Sequence, residues 1–461
     1  MKNNVMRDMT AGSPTKLLLG FFFPMLFGML FQQFYNMVDT IIVGKYLGVQ
    51  ALAAVGTTGS VNFMVIGFCM GVCNGFAIPV AQKFGEKNYR QLRKFVANGA
   101  WLSIAFASVM TVAVCVLCRN ILVWMNTPED IIDGAYHYIF VIFLGIPATY
   151  LYNMVSGIIR SLGDSKTPLL FLVISSIINI VLDVYMIVAL KMGVAGAAWA
   201  TVIAQAGSGI GCLLFMKKRY EVLHMTKEEA KPDKNMMWIL IGMGVPMGLQ
   251  YSITAIGSVI LQTAVNGLGS MAVASVTAGS KIGMFFCCPY DAMGSTMATY
   301  GGQNIGARKL DRISKGLKAA VIMGAVYSVI ALVVLILFGP VLSLLFLDAE
   351  QEEILGQVQQ FLVINAAFYF PLALVNIVRF LIQGMGYSKL AVLAGVCEMF
   401  ARSFVGFCLV PVGGYLAACF ASPLAWIAAD LFLVPSYLKI MRRLKEKCGE
   451  KNGNLLDESH I

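Results

Sequence analysis

The chain contains 461 residues, of which 58% are hydrophobic and 13% are charged, with a mean hydropathy of +0.77. Soluble domains typically hold about 45–50% apolar and about 25% charged residues, so this composition argues against a soluble enzyme and favours a protein surrounded by lipid. The formal net charge of +10 is compatible with binding to nucleic acid, with binding to anionic lipid, or with basic cytoplasmic loops.

Apolar stretches of about 20 residues, bounded by charges or by Gly and Pro, predict twelve membrane-spanning helices and therefore an all-α membrane protein. In chain order, the predicted spans are 17–43, 52–81, 95–118, 134–159, 168–190, 194–216, 237–265, 272–302, 317–340, 354–383, 390–410 and 413–438. The polar segment 1–16 lacks the pattern of a cleaved signal peptide, and we expect it to be retained.

Basic residues are concentrated in the loops on one side of these spans. Most of the 34 Lys and Arg residues fall near the amino terminus, in the loops around 83–94, 160–166, 217–234 and 308–318, at Lys389, and in the tail after residue 438. By the positive-inside rule this side faces the cytoplasm, and both termini are cytoplasmic. Since topology explains the basic excess, we expect no nucleic-acid partner.

The two halves of the chain resemble each other at an offset of about 221–223 residues, which indicates an internal duplication. Gln82 and Gly85 correspond to Gln303 and Gly306, and Asn153 and Gly163 correspond to Asn376 and Gly386. Six spans per half place the pseudo-two-fold axis along the membrane normal. The predicted organisation is a first lobe at 1–216, a cytoplasmic linker at 217–236, a second lobe at 237–440 and a basic cytoplasmic tail at 441–461.

The 11 Cys and three His residues form no recognisable metal-binding pattern. Cys115 and Cys118 have the spacing of a metal or redox pair, but a second pair and a nearby His are missing from the sequence around them. We interpret these cysteines as structural, and we expect neither a disulfide framework nor a bound cofactor.

Five acidic residues fall within predicted spans, where each costs about 2.5–3.5 kcal/mol at a helix centre: Asp39, Asp183, Asp291, Glu398 and Asp430. Glu398 and Arg402 stand four residues apart on one helical face, which predicts an internal ion pair. Asp430 lies about two turns before the basic tail, where it is predicted to extend toward the interface or pair with the tail. The role of Asp291 stays open, because pairing with Lys281 requires a bent helix.

Asp39 and Asp183 are predicted to lie at the same depth in the membrane. They precede Lys45 and Lys191 by six and eight residues, which places both carboxylates about 9–12 Å inside the outer boundary. Asn179 is one turn deeper than Asp183 on the same helical face. The sequence therefore predicts a polar cluster within the first half.

Thr201 and Tyr138 reach a similar depth, and the first half supplies no Lys or Arg at this level. Two carboxylates without a fixed cation are tolerated in an apolar setting when they hold a proton or bind Na⁺. The alternative is that two unrelated acids each face water in a central cleft. The second half has Leu261, Met399 and Ser403 at the corresponding positions, so cation binding is expected in the first half alone.

The first span carries a specific motif, which runs from Gln32 to Gly44, includes Asp39 and follows Pro24. With the paired Gln and Gly residues of the basic loops, and with Pro147, Asn153 and the segment 163–168, it makes the chain resemble the multidrug and toxic compound extrusion (MATE) family. The resemblance extends from about Lys16 to Arg443. It implies two six-helix lobes that alternately open a central cavity to either side of the membrane, and it places the chain in the wider MOP flippase superfamily.

The resemblance also implies a cation site in the first lobe. By residue, that site comprises Asp39, Asn179, Asp183, Thr201 and the backbone carbonyl of Ala197, with Tyr138 beside it, and the first four of these are the candidate Na⁺ ligands. The candidate residues of the substrate cavity are Gln33, Asn36 and Asn153. Spans 237–265 and 354–383 lack the additional carboxylates that some family members have, apart from their outer edges, so a second-lobe cation site is not expected.

The resulting hypothesis is a secondary active transporter rather than an enzyme. It exports organic cations or amphipathic compounds in antiport with H⁺ or Na⁺, acts as a monomer in the bacterial cytoplasmic membrane, and has small-molecule substrates and membrane lipid as its partners. A cation at Asp39 and Asp183 lets the first helix repack near Pro24 and Gly28 and lowers the affinity for substrate. The alternatives are a lipid-linked precursor flippase and, less favoured, a channel or an intramembrane enzyme.

Overall fold

The structure is a computed structural model that describes residues 6–125, 127–345, 347 and 351–457, with side chains described up to residue 447. The last residues of the predicted tail, 458–461, lie outside the described residues. The first half forms eight α-helices: α1 Pro14–Leu47, α2 Val49–Thr57, α3 Gly59–Gly85, α4 Tyr89–Trp124, α5 Glu129–Leu144, α6 Ile146–Ser161, α7 Lys166–Val184 and α8 Val194–Arg219.

The second half forms eight more: α9 Lys234–Asn266, α10 Ser270–Gly306, α11 Leu310–Ser343, α12 Glu352–Ala367, α13 Tyr369–Gly384, α14 Ser388–Phe404, α15 Val410–Cys419 and α16 Ala421–Asp457. Local signals explain several of the helix starts. Pro14 occupies the first turn of α1, and the side chains of Asn88 and Asp233 accept hydrogen bonds from the first backbone N–H groups of α4 and α9.

Among the described residues, ten helices are long and apolar enough to cross a membrane, and two bent helix pairs complete a set of twelve spans. The bent pairs are α5 with α6, at 45°, and α12 with α13, at 50°. The predicted all-helical fold with twelve spans is therefore confirmed. Two predicted boundaries are wrong. Residues 52–57 belong to the separate short helix α2, so the second span begins only at Gly59. Residues 413–419 belong to α15 in the eleventh span, so the last span begins only at Ala421.

The backbone repeats itself between the two halves at the offset seen in the sequence. Positive φ angles occur at Gly48 and Gly269 (85° and 97°), and again at Gly193 and Gly414 (62° and 55°). Lys87 and Arg308, at 60° and 56°, form a further pair. Short π-helical segments also correspond, since Tyr185–Ala189 follows α7 and Val405–Leu409 follows α14. The shared backbone exceptions support the predicted duplication.

Helix α1 packs against both halves of the protein. Its early residues Leu18, Phe21 and Phe22 are buried in a core built mainly from α10, α11, α13 and α16. Its late residues Ile42 and Val43 are buried in the core of the first half. A shift in the later part of α1 can therefore be transmitted directly to the packing of the second half.

The two halves meet tightly on the side that carries the basic loops and the amino-terminal segment, which we call the basic side. Gln82 Nε2 donates to Gly384 O at 3.0 Å, and Gln303 Nε2 donates to Ser161 O at 2.9 Å. A Cβ atom at Gly85 would collide with the backbone carbonyl of Gln303, and one at Gly306 would collide with that of Gln82. The Gln and Gly pairs noted in the sequence thus form a symmetric contact between the halves.

The amino-terminal segment is inserted into this contact. Arg7 N donates to Leu162 O at 3.0 Å, and Met9 N donates to Gln303 Oε1 at 2.8 Å. The side chain of Lys309 donates to Thr10 O at 2.8 Å. Because these bonds reach both halves, the segment joins the two halves on the basic side.

Candidate functional site

A cavity of about 960 Å³ lies between the two halves. Helices α1, α3, α5, α6, α7 and α8 line it from the first half, and α9, α10, α13, α14 and α16 line it from the second. The predicted cavity residues Gln33, Asn36 and Asn153 all lie in its wall. The cavity is mixed in character, with apolar residues such as Phe63 and Met284 beside amide and hydroxyl groups, which is the usual lining of a small-molecule site.

The carboxyl groups of Asp39 and Asp183 lie within hydrogen-bonding reach of each other. Asp183 is fully buried, and neither of its oxygens meets a donor from the described part of the chain. Asp39 Oδ1 is likewise buried without a donor. Two adjacent carboxylates in this setting repel each other and lack solvation, so a shared proton or a bound cation relieves the cost.

The other predicted residues surround this pair. Asn179 Nδ2 donates to Thr201 Oγ1 at 3.3 Å, and Thr201 Oγ1 donates to Ala197 O at 3.1 Å. Asn179 Oδ1 is buried and unpaired among the described residues. Tyr138 is buried and lines the same part of the cavity. The structure thus brings all six predicted residues together, although their function remains a prediction.

The chemistry of the cluster suits a hard cation or a proton. Carboxylate, amide and backbone carbonyl oxygens are ligands that Na⁺ accepts, whereas transition metals prefer imidazole and thiolate. Within the described ranges, the structure contains no group of three or more His, Cys, Asp or Glu residues that could hold a metal ion.

Tyr35 is a neighbour that the sequence analysis missed. It lines the cavity and lies within electrostatic range of both Asp39 and Asp183. Its position one turn before Asp39 on α1 is the signal that could have found it.

The second half places a different ionic cluster against the same cavity. Glu398 pairs with Arg379, and also with Arg402 at 3.4 Å. The predicted pair of Glu398 with Arg402 is present, and Arg379 of α13 is an additional partner. The cluster also contains two acids of unsettled role: Asp291 lies in the cavity wall, and Asp430 lies within electrostatic range of Arg379. Asp430 Oδ1 is buried without a hydrogen-bond partner, so the suggested pairing with the tail is not seen among the described residues.

Comparison with known proteins identifies the fold. The sequence model of the MatE family matches twice, at residues 24–185 and 246–408. A probable multidrug resistance protein, YoeA of Bacillus subtilis, is 28% identical over 339 residues, which cover 72% of this chain and 73% of that protein. An FAD transporter of Shewanella oneidensis is 23% identical over 372 residues, covering 78% of this chain and 80% of its own.

Solved structures with a similar fold include a transporter of the same family. A multidrug resistance MATE family transporter in an outward-facing conformation superposes with a TM-score of 0.89 at 21% sequence identity, covering 97% of this chain and 100% of that chain. The double match of one family model fits the duplication seen in the backbone, since each half matches it separately. The chain is a multi-pass membrane protein that belongs to the MatE family, the multidrug and toxic compound extrusion transporters.

Proposed function

We propose that the protein is a secondary active efflux transporter that exports amphipathic drugs and organic cations in antiport with H⁺ or Na⁺. The observation that carries the proposal is the pair of adjacent carboxyl groups formed by buried Asp183 and half-buried Asp39, whose buried oxygens meet no hydrogen-bond donor of the described residues. The names of the relatives, which include a multidrug resistance protein, an FAD transporter and a multidrug export protein, support transport of drugs and other small organic molecules as the general activity.

The coupling mechanism follows from the two environments of α1. A cation at Asp39 and Asp183 neutralises the pair and changes how the later part of α1 packs on α7, where Asp183 resides. The early part of α1 is buried in the core of the second half, so this change reaches the contact between the lobes. Antiport requires that the cation and the substrate favour different conformations, because equal affinity for both states shifts nothing.

The conformation described here corresponds to an outward-facing state in this proposal. The hydrogen bonds made by Gln82 and Gln303, together with the inserted segment around Met9, close the basic side. The basic side is the cytoplasmic one by the positive-inside rule, and the membrane is the bacterial cytoplasmic membrane. Alternating access then requires these contacts to break when the opposite side closes.

Transport in proteoliposomes tests the proposal. Efflux of a fluorescent organic cation should respond to an imposed pH gradient, a Na⁺ gradient or both, applied separately. Asp39→Asn and Asp183→Asn should each lower gradient-driven efflux about tenfold or more, because a coupling free energy of about 1–3 kcal/mol is lost.

Asp133→Asn is the matched control. Asp133 has an exposed side chain and pairs with Arg119 at the protein surface, away from the cavity, so its neutralisation should leave efflux unchanged. Near wild-type efflux in both Asp39→Asn and Asp183→Asn would refute the proposed coupling site.

A further inference from the structure

The ionic cluster of the second lobe contains more guanidinium groups than its central carboxylate can satisfy. Arg379 comes from α13, and Glu398 and Arg402 lie one turn apart on α14. Both guanidinium groups use the same carboxylate, since Arg379 contacts Glu398 Oε1 and Arg402 contacts Oε2. Each arginine has five N–H donors, and one carboxylate cannot accept from all of them.

Specific donors in this cluster have no acceptor. Arg379 Nε and Arg402 Nη1 are buried and make no hydrogen bond to any described residue. The side chains of Arg379 and Arg402 are only 7% and 9% exposed, so both guanidinium groups are largely removed from bulk solvent. A buried charged donor without an acceptor is costly. Both residues lie in the cavity wall, where a ligand can supply the acceptor.

The remaining charges of the cavity define what kind of ligand fits. Its wall carries three guanidinium groups, from Arg160, Arg379 and Arg402, and three carboxylates, from Asp39, Asp291 and Glu398. Arg160 donates to Asn74 Oδ1 at 3.2 Å, and Asp39 belongs to the cation site proposed above. Outside the cavity wall, Asp430 also acts electrostatically on Arg379. With equal numbers of both signs, the wall offers partners to anionic as well as cationic groups of a ligand.

We propose that Arg379 and Arg402 form an oxyanion subsite in the central cavity, which binds the carboxylate or phosphate group of an amphipathic substrate. Guanidinium groups recognise planar and tetrahedral oxyanions through paired N–H donors, and they lose little hydration in doing so. Asp291, which also faces the cavity, lies within electrostatic range of Arg379 and receives a cationic group of the same substrate. Zwitterionic and anionic amphipaths are therefore substrates alongside the organic cations. This inference rests on the proposed transport function and specifies its substrate class.

A matched pair of dyes tests the subsite. Rhodamine B carries a free carboxylate, and its ethyl ester has the same ring system without the negative charge. We expect the purified protein in detergent to bind the acid at least tenfold more tightly than the ester, as measured by fluorescence anisotropy. Equal affinity of the wild-type protein for acid and ester would overturn the proposal, and this comparison needs no variant.

Substitutions of Arg402 test whether this residue causes the preference for the acid over the ester. Arg402→Gln leaves the pair of Glu398 with Arg379 in place, and it should lower the ratio of acid to ester binding about tenfold. Arg402→Lys keeps the charge but loses the paired donors, so it should retain part of the preference. Arg119→Gln, at an exposed site on α4, is the matched control and should keep the wild-type ratio. An unchanged ratio in folded, monodisperse Arg402→Gln would contradict the proposal.

Two further measurements, lipid competition and dye transport, identify the ligand of the subsite and test the transport function separately. Short-chain phosphatidylglycerol, compared with phosphatidylcholine as competitor, shows whether a lipid phosphate also occupies the subsite, and competition that depends on Arg402 supports it. Transport of the ester in proteoliposomes tests the proposed transport function independently. If neither the acid nor the ester is transported while the acid binds preferentially, the transport function fails and the subsite stands. If the ester is transported but the protein binds acid and ester equally, the transport function stands and the oxyanion subsite is refuted.

Discussion

The two lobes have similar backbone conformations but differ in whether their acids inside the membrane are paired with a cation. In the first lobe, Asp183 on α7 meets Asp39 on α1, and no cation of the described chain neutralises them. In the second lobe, the equivalent helix α14 carries Ser403 at the corresponding position, and the acid Glu398 is held between two arginines. An acid without a fixed partner is free to exchange cations, whereas an acid with two partners is locked. The first lobe thus holds two adjacent acids without a fixed cation, and the second lobe holds its acid in a fixed ion pair.

Local geometry near the two clusters does not explain this difference. A π-helical segment follows Asp183, and such segments often occur at functional sites. However, the second lobe has the same feature at Val405–Leu409, next to Ser403. The π-helical segment is therefore a property of the repeat, and the difference in function depends on the side chains.

Neutralising an acid in each lobe should affect stability in opposite directions. Glu398→Gln leaves Arg379 and Arg402 buried and facing each other, and we expect it to lower the free energy of unfolding by about 3–5 kcal/mol. Asp183→Asn removes one of two adjacent carboxylates, and we expect stability to be retained or increased. Thermal unfolding in detergent measures both. Equal destabilisation by the two substitutions would contradict the comparison.

Substitutions in the contact on the basic side should instead lower the stability of the protein equally, whichever lobe carries them. Gly85→Ala and Gly306→Ala each place a methyl group against a backbone carbonyl of the other half, and we expect each to destabilise the protein by about 1–3 kcal/mol. Gly242→Ala in α9 is a suitable control, since nothing lies within 4 Å of its added Cβ, and its thermal unfolding should match the wild type. A large effect at only one of the two glycines would show that the contact is not symmetric.

A smaller difference between the lobes lies in the linker, residues 217–236. Its residues Glu229 and Ala230 are hydrogen-bonded to the first lobe. Glu229 accepts from Arg93 at 2.7 and 2.8 Å, and Trp101 Nε1 donates to Ala230 O at 3.0 Å. The hydrogen bonds from Arg93 lower the pKa of Glu229 to about 2. Since this folded-state pKa lies below the usual value, the interaction is fully present above about pH 4.5 and is lost as the pH falls toward 2.

Limited digestion with trypsin measures this linker contact. Glu229→Gln should make cleavage after Lys227 and Lys231 a few-fold faster at neutral pH, because the linker detaches from α4 more often. Wild-type protection should stay constant from pH 8 to pH 5. Glu228→Gln, at the neighbouring exposed position, serves as the control and should cleave at the wild-type rate. A strong loss of protection already at pH 6 would show that Glu229 is not the group responsible.

Much of the fold follows from local sequence properties. Apolar length predicted the spans, and helical spacing with a depth argument assembled Asp39, Asn179, Asp183 and Thr201, because these relations depend on residues close in the chain or on one shared axis. The break before Gly59 was missed, since α2 is as apolar as the span that follows it.

Contacts between distant helices were harder to predict. The pairing of Arg379 with Glu398 depends on how α13 packs against α14, and no spacing in the sequence indicates it. The division of α1 between two cores was also missed, because its early part, residues 17–31, contains no polar side chain and so shows no preferred face. Residue type predicted where charge is buried, but only tertiary packing determined which charges meet.

The inserted amino-terminal segment also constrains the order of assembly during synthesis. Met9 is bound by Gln303, Asn304 and Arg312, which the ribosome adds about 295 residues later in the chain. At a rate of about 5–20 residues per second, the segment therefore waits on the order of 15–60 seconds for its partners. The contacts that hold Met9 therefore form only after much of the second lobe has been synthesised, which makes the fixing of the amino-terminal segment a late step of folding.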